Sequence, residues 1–411
     1  MTKDGPMNQT ASRYKWIALG LLWVAFFLQQ GTRQIYGPSL ASIMSSTGAD
    51  AVSAGLVGTV FTLVYGICVP FAGLTADLFS RKWMVTVGVG VFCLGIFLSG
   101  FVPTIGLLMV TYGLLNGFGQ TFYYPSATSL VSQLHKESRA TAMSILQLGL
   151  YLGIVGCGGL AGWLAGWSAD GWRWAFRVLG GLGLVWAVVL LFFLKDTRPA
   201  MQNAAQEKPR LRDAVHAVVA NPAALCLAGG LGMMIYVDVG FKIWMPDYLA
   251  ETFGISKGSA GLNAVLWHYL GAAAGIAFGS RFSDCRVARR PSIRMEVNIL
   301  GLAGAIPFIL WMAGTDSFVC CCTAMGLFGF FRGIYDSNLM AAFLDVVNPR
   351  YHASGCGIMM CIAFIFGSLS PTVLGLMKEH VSMSVGIGSL AGFYALGVGI
   401  ILCARHIAFK H

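Results

Sequence analysis

Charged side chains are scarce in this sequence. Asp, Glu, Lys and Arg together make up 11% of the 411 residues, whereas soluble domains carry about 25%. Hydrophobic residues make up 56%, and the mean hydropathy is +0.71. So few polar groups cannot cover the surface of a water-soluble globule. The composition therefore excludes a soluble enzyme, a disordered chain and a nucleic-acid binder.

Motifs for metal and nucleotide chemistry are missing as well. The 11 cysteines include no Cys-x-x-Cys pair and no His/Cys cluster, so the sequence predicts neither a zinc site nor a disulfide framework. It contains no Gly-x-x-x-x-Gly-Lys-Ser/Thr segment, which excludes a P-loop ATPase. Clustered histidines or paired carboxylates, which a membrane enzyme would use, are also missing. We predict a protein that is not an enzyme and that uses no cofactor or metal.

Long apolar runs dominate what the sequence does contain. Each is long enough to cross a bilayer, which takes ~20 residues in a helix. Since backbone groups in lipid need partners within their own segment, these runs predict helices. The expected fold is an all-α membrane protein with twelve transmembrane helices. The predicted spans are 14–40, 52–76, 83–102, 105–131, 141–167, 173–194, 222–250, 259–281, 294–314, 317–345, 354–377 and 384–404.

The basic residues are distributed unequally between the two faces. Of the 27 Lys and Arg residues, 20 fall at the N-terminus, at the C-terminus or in loops after even-numbered spans. Only Arg173, Lys257 and Lys378 fall in loops on the other face. Because positive loops stay inside, both termini are expected in the cytoplasm. The net charge of +10 is therefore explained by the orientation of the chain in the membrane. The short loops favour a bacterial inner membrane.

A polar stretch after the sixth span divides the chain into two halves. The boundaries predict an N-terminal six-helix bundle over 14–194, a cytoplasmic linker over 195–221 and a C-terminal six-helix bundle over 222–406. The halves share sequence patterns, since Gly31-Thr32-Arg33 in span one has a counterpart in Gly240-Phe241-Lys242 of span seven. Parallel six-helix repeats are a transporter architecture that holds the substrate between its halves.

Five charged residues fall near the middle of predicted spans, where charge is costly and indicates function. They are Arg33, Asp238, Lys242, Arg332 and Asp336. Asp238 with Lys242, and Arg332 with Asp336, have the i,i+4 spacing that allows pairing on one helix face. Arg33 has no acid in its own helix, and the five charges sum to +1. A buried guanidinium is best satisfied by a carboxylate or phosphate, which predicts an anionic substrate.

Each of these charges has an alternative, purely structural interpretation. Arg33 could instead pair across the bundle with Asp238 or Asp336. For Lys242 and Arg332, substrate binding and a static ion pair are about equally supported by the spacing. Asp238 and Asp336 are candidates for the coupling proton, because losing a cationic neighbour to substrate would favour protonation of the carboxylate. A static pair would leave them without that role.

The loop after span two carries a family resemblance. Gly73-Leu-Thr-Ala-Asp77-Leu-Phe-Ser-Arg81-Lys82 resembles the signature of the major facilitator superfamily between its second and third helices. The resemblance covers nearly the whole chain and implies transport by alternating access. It also implies that Gly73, Asp77, Arg81 and Lys82 form a gating motif, and that spans one, four, seven and ten line a central cavity.

Two subfamilies resemble the chain at the cavity spans. Gln29-Gln30-Gly31-Thr32-Arg33 and the span-four segment Gly113–Gln120 are similar to the hexonate and sialin-like organic-anion symporters. Arg33 matches their arginine, whereas Thr32 and Gln120 stand where those relatives have acids. A weaker similarity links Trp244-Met-Pro246-Asp-Tyr248-Leu249 to the organophosphate antiporters, with Asp238 in the place of their arginine.

Together these features predict a secondary active, proton-coupled symporter of a small organic anion such as a sugar acid or carboxylate. A sugar-phosphate or phosphate exchanger and a multidrug-type transporter are the alternatives. The expected partners are the anion, protons or another coupling ion and the lipid bilayer, and the chain is expected to act as a monomer. His268 in span eight is interpreted as a packed residue. The candidate substrate-binding residues are Arg33, Tyr36, Gln120, Tyr123, Tyr124, Lys242, Trp244, Arg332 and Asn338.

Overall fold

The computed structural model describes residues 6–78, 80–135, 138–195, 211–290 and 292–409, except for the side chains of 6–12, 73–78, 140, 211, 214 and 353. A π-helical segment covers Met109–Asn116 and a 3₁₀ turn covers Pro349–Tyr351. The α-helices are α1 (Pro6–Gln34), α2 (Tyr36–Thr47), α3 (Ala51–Leu78), α4 (Arg81–Ser99), α5 (Ile105–Leu108), α6 (Gly117–Thr121), α7 (Tyr123–Leu134), α8 (Arg139–Ala165), α9 (Gly171–Phe193), α10 (Leu211–Val219), α11 (Pro222–Phe253), α12 (Lys257–Asp284), α13 (Ile293–Gly314), α14 (Phe318–Val346), α15 (His352–Gly367), α16 (Ser370–His380) and α17 (Met383–Ala408).

These helices build the twelve-span fold that the sequence predicts. Ten stretches within the described residues are long and apolar enough to cross a membrane, counting α15 and α16 as one. The first span consists of α1 and α2, and the fourth consists of α5, the π-helical segment, α6 and α7. The all-α architecture of two six-helix bundles is confirmed. Between them, α10 packs against α11 and α15.

Prolines break three of the spans that the hydropathy pattern predicts as continuous. The breaks precede Pro38, Pro125 and Pro371, and in each case the preceding helix ends four residues before the proline. Proline lacks an N–H, and its ring collides with the carbonyl four residues earlier. Each break therefore lies where the helical hydrogen-bond pattern cannot continue, and each proline lies in the first turn of the next helix.

The two halves meet mainly along α3 with α15 and α16, along α8 with α12, and along α11 with α2. In the part of the chain that the structure describes, three hydrogen bonds involving side chains join the halves. They are Lys257 Nζ to Ser42 Oγ (2.6 Å), Val52 N to Glu379 Oε1 (3.1 Å) and Thr59 Oγ1 with Thr372 Oγ1 (2.8 Å). All three lie toward the face that carries loops 48–50 and 254–256, which we call the opposite face. The face with both chain ends is the terminal face.

Glycines bring α12 and α14 into close contact. A methyl group on Gly329 of α14 would clash with the backbone carbonyl of His268 on α12, and one on Gly275 would clash with the carbonyl of Phe330. Small residues at such a contact let two membrane helices approach each other closely. This packing sets His268 beside Arg332, one turn along α14 from Gly329.

Candidate functional site

A cavity of about 250 Å³ lies between the two halves. Arg33 of α1 reaches its wall from the N-terminal half, and Asp238 and Lys242 of α11 and Arg332 of α14 reach it from the C-terminal half. Most of the remaining wall is apolar. Four of the five predicted mid-membrane charges thus meet in one place, and the fifth, Asp336, contacts Arg332 from behind the wall.

The charges of the C-terminal half form one connected network. Asp238 Oδ2 lies 2.8 Å from Lys242 Nζ, and Asp238 Oδ1 lies 3.0 Å from Arg332 Nη1. Arg332 Nε is 3.5 Å from Asp336 Oδ2. Both predicted i,i+4 pairs are therefore present, and Asp238 links them across two helices. Two cations and two carboxylates leave this network with no net charge.

His268 belongs to the same network, although sequence reasoning missed it. Its Nε2 lies 2.9 Å from Arg332 Nη1, and its ring packs against Phe241 and Phe328. Because a guanidinium can only donate hydrogen bonds, Nε2 is the acceptor and carries no proton. A lone histidine 64 residues before its partner has no sequence pattern. The glycine spacing of α12 and α14 was the available signal, because it indicates a close contact between the helices that carry His268 and Arg332.

Arg33 has a different environment from Arg332. Its guanidinium carbon lies over three aromatic rings, 4.7 Å from the centroid of Tyr65, 5.2 Å from that of Phe61 and 5.9 Å from that of Phe364. Among the described residues its guanidinium forms no ion pair, with Asp238 and Asp336 engaged elsewhere. Aromatic rings stabilise a guanidinium through its faces, and the N–H groups at its edge are the ones that bind a carboxylate or phosphate.

Neutral amides occupy the N-terminal half near Arg33. Gln120 Nε2 donates to Asn116 Oδ1 at 2.9 Å, and Gln29 Nε2 donates to the Gln120 carbonyl at 2.7 Å. The Thr32 hydroxyl donates to the Gln29 carbonyl at 3.1 Å. At both positions where the resembling symporters have acids, this chain therefore has a buried, uncharged group that bonds to its own half.

Six predicted binding residues lie away from the cavity wall in this structure: Tyr36, Gln120, Tyr123, Tyr124, Trp244 and Asn338. The Tyr36 and Tyr123 hydroxyls, the Trp244 indole and the Asn338 amide each donate to a backbone carbonyl. Tyr124 is 42% exposed and packs on Phe26. A role for these six in binding stays a prediction, whereas Arg33, Lys242 and Arg332 line the cavity.

The predicted gating motif is described only in part. Gly73 and Asp77 lie in the last turns of α3, where the side chains fall outside the described residues. Arg81 begins α4 and is buried, and Lys82 beside it is partly buried. Most of the predicted linker, residues 196–210, also falls outside the described residues. The gating role and the linker boundaries stay predictions.

Known proteins resemble the chain over most of its length. The Drosophila melanogaster protein spinster is 24% identical over 310 residues, which are 73% of this chain and 51% of that protein, so this chain spans about half its length. A sphingosine-1-phosphate transporter, SPNS2, of Xenopus tropicalis is 24% identical over 408 residues, covering 94% of this chain and 78% of the relative.

A solved structure shares the fold. The bacterial homolog to the human lysosomal transporter Spinster, in an inward-facing and unoccupied conformation, matches with a TM-score of 0.84 and 18% identity, covering 97% of this chain and 98% of that one. The sequence itself matches the Major Facilitator Superfamily over residues 22–371, which takes in spans from both halves of the fold. The chain therefore belongs to the major facilitator superfamily and is a membrane transporter, not an enzyme.

Proposed function

We propose that this chain is a secondary active transporter of a small organic anion such as a sugar acid. The observation that carries the proposal is the Arg33 guanidinium, which lines the cavity without an ion pair among the described residues. The neighbouring network of Asp238, Lys242, Arg332 and Asp336 has no net charge, so the side chains of the site have an excess of +1. A carboxylate or phosphate would neutralise this excess through two parallel hydrogen bonds.

The other cations of the wall support the same substrate class. Lys242 and Arg332 line the cavity from the C-terminal half, and Arg33 lines it from the N-terminal half. An anion bound by both sides would draw the halves together, and this links binding to the switch between open states. The hydrogen bonds between the halves already lie toward the opposite face. This arrangement supports a cavity that opens toward the terminal face.

Proton coupling follows from competition for the cations. An anion that attracts Lys242 and Arg332 leaves Asp238 and Asp336 with weaker cationic neighbours, which favours protonation of a carboxylate. In proteoliposomes, Asp238→Asn or Asp336→Asn should abolish accumulation driven by a pH gradient while retaining exchange of labelled for unlabelled anion. Accumulation by both variants would show that another ion or an exchanged anion drives transport.

The anion site itself can be tested at Arg33. A thermal-shift screen of sugar acids and small carboxylates on the purified protein would identify a ligand. Removing one partner of a desolvated charged hydrogen bond costs ~2–5 kcal/mol, which is roughly 30- to 5,000-fold in affinity. Arg33→Ala should therefore abolish measurable binding by calorimetry, and Arg33→Lys should bind weakly because it loses the planar donor pair. Unchanged affinity in a folded Arg33→Ala protein would refute the site.

A phosphate ester with an apolar portion is the second candidate. Apolar side chains such as Leu231, Ile235 and Met360 make up much of the wall, and one relative is named a sphingosine-1-phosphate transporter. Sphingosine 1-phosphate and gluconate should be compared in the same binding assay. Preference for the phosphate would select this candidate. Three cations in the wall argue against a cationic drug, the substrate of a multidrug-type alternative.

We also propose that the terminal face is cytoplasmic in a bacterial inner membrane and that the chain works as a monomer. The unequal distribution of Lys and Arg supports this orientation, and one chain supplies the whole described wall of the cavity. Cys285, exposed between α12 and α13, should react with a membrane-impermeant maleimide in inside-out vesicles but not in right-side-out vesicles. Cys285→Ser controls for the other cysteines, and the reverse labelling would overturn the orientation.

A further inference from the structure

His268 lies buried in the C-terminal half, and the transport cycle proposed above gives it no role. Its imidazole is 1% exposed and packs against Phe241 of α11 and Phe328 of α14. Its Nε2 accepts from Arg332, and its buried Nδ1 has no hydrogen-bond partner among the described residues. Burying an imidazole is energetically costly when Nδ1 has no hydrogen-bond partner and Nε2 depends on a single donor from another residue. Loss of that donor would make the cost larger.

The donor of this hydrogen bond is shared. Arg332 Nη1 lies 2.9 Å from His268 Nε2 and 3.0 Å from Asp238 Oδ1. Arg332 also lines the cavity, so the same guanidinium is available to a bound anion. An anion that draws Nη1 toward the cavity removes the donor from His268 and a cation from Asp238 in a single movement.

Charged and titratable groups face His268 from the helices packed around it. Asp238 and Lys242 face it from α11, Arg332 faces it from α14, and Tyr269 adjoins it on α12 with Tyr151 of α8 behind. The further groups Asp336 and Tyr394 contact or face Arg332 rather than the ring. Asp238 is thus the carboxylate that faces the imidazole, and it also lines the cavity from which a proton can arrive.

Resting on the proposed function, we propose that His268 Nε2 takes up the proton that accompanies the anion. When the anion holds Arg332, a proton from cavity water passes by way of Asp238 to Nε2, and one N–H bond forms. The imidazolium then donates to Asp238 and replaces the lost arginine. On release of the anion, Arg332 returns to Asp238 and His268, and the proton leaves to water on the other side.

The switch can be tested without knowing the substrate. In protein labelled with ¹⁵N-histidine, His268 Nε2 should stay unprotonated between about pH 5 and 8, because Arg332 donates to it. In Arg332→Gln, and in Arg332→Met if the first variant folds poorly, the ring should become doubly protonated within this range. His268→Gln assigns the signal. A doubly protonated ring in the wild type at neutral pH, or the same titration in all proteins, would overturn the proposal.

Transport then separates this role from a structural one. Glutamine at position 268 can still accept from Arg332 but cannot bind the proton. With gluconate as the probe and a pH gradient of one unit, wild-type proteoliposomes should accumulate up to about tenfold, and His268→Gln should only equilibrate while retaining exchange. His135→Gln, which changes a buried histidine bonded to Lys15 far from the cavity, should behave as the wild type.

Different results would overturn the role of His268 and the proposed transport of a sugar acid. Accumulation by His268→Gln, or loss of both accumulation and exchange, would overturn the role of His268. If the wild type does not exchange gluconate, the sugar-acid form of the proposed function fails. The ¹⁵N titration still decides in that case whether Arg332 controls protonation of His268.

Discussion

The two halves of the transporter present opposite electrostatic designs to the same cavity. The N-terminal half supplies a single cation, Arg33, enclosed by aromatic rings and accompanied by neutral amides such as Gln120. The C-terminal half supplies two cations and two carboxylates in a network that also holds His268. An unpaired charge attracts a ligand at all times, whereas a paired network can exchange partners. We therefore expect the N-terminal half to attract the anion and the C-terminal half to rearrange when the anion binds.

The largest expected effect separates the halves by stability. Asp238→Ala leaves Arg332 and Lys242 without their shared carboxylate, and breaking a buried pair in this way costs about 3–5 kcal/mol. Arg33→Ala removes only contacts with aromatic rings, worth about 1–2 kcal/mol. Thermal unfolding followed by tryptophan fluorescence should show a much larger loss for Asp238→Ala. Equal losses would mean that Arg33 is also a structural counter-ion.

A glycine contact offers the next test, because the C-terminal network depends on helix spacing. Gly329→Ala puts a methyl group into the His268 carbonyl, and overpacking of this kind costs about 1–3 kcal/mol. It should lower the melting temperature and, by separating α12 from α14, weaken accumulation driven by a pH gradient. Gly326→Ala is the matched control, since its methyl group would have its nearest contact at 3.8 Å. Similar behaviour of the two variants would contradict this account.

The N-terminal half can be changed to resemble the other half. Gln30 lines the cavity one turn before Arg33, so Gln30→Glu gives that arginine a carboxylate within its own helix. Such pairs are worth about 0.2–1 kcal/mol, and the affinity for the anion should fall by a factor of about 1.4 to 5. Gln30→Met controls for loss of the amide. A tighter-binding Gln30→Glu protein would show that Arg33 does not compete for anions.

The smallest effect concerns the contact between the halves at the opposite face. Glu379 accepts from the Val52 N–H at the start of α3, where Asp50 already accepts from Ser53. The hydrogen bonds from Ser53 lower the pKa of Asp50, so this carboxylate stays charged at the helix end. Because Asp50 keeps its negative charge at the start of α3, Glu379→Gln removes only one of two favourable charges there. It should therefore weaken the contact between the halves at the opposite face by only about 0.3 kcal/mol. Spin-label distances across this face should broaden slightly, and more so at low salt.

Hydropathy was enough to predict the fold, because each span must satisfy its own backbone in lipid. All twelve spans, and their arrangement as two bundles of six, follow from apolar runs and from the polar stretch after the sixth span. The breaks before Pro38, Pro125 and Pro371 were missed, since these segments stay apolar across the break. Proline acts on the backbone, and a hydropathy average does not record it.

The charged residues of the site were predictable, because placing a charged side chain inside a membrane is energetically costly. Arg33, Asp238, Lys242 and Arg332 were expected at the cavity because charge at that depth needs a reason, and all four line it. His268 was missed because its role depends on Arg332, which reaches it through the contact between α12 and α14. Tyr36 and Trp244 were chosen by residue type, and this structure has their polar atoms bonded to backbone carbonyls.

The unpaired Arg33 also has an electrical consequence. Since the C-terminal network sums to zero, the protein without substrate carries one net positive charge at its centre when it changes state. A charge that crosses the whole membrane gains about 2.3 kcal/mol per 100 mV, so voltage should bias the resting orientation. A monoanion together with one proton leaves that moving charge unchanged. Membrane potential would thus set which side the unloaded site faces, while the pH gradient alone would drive net uptake.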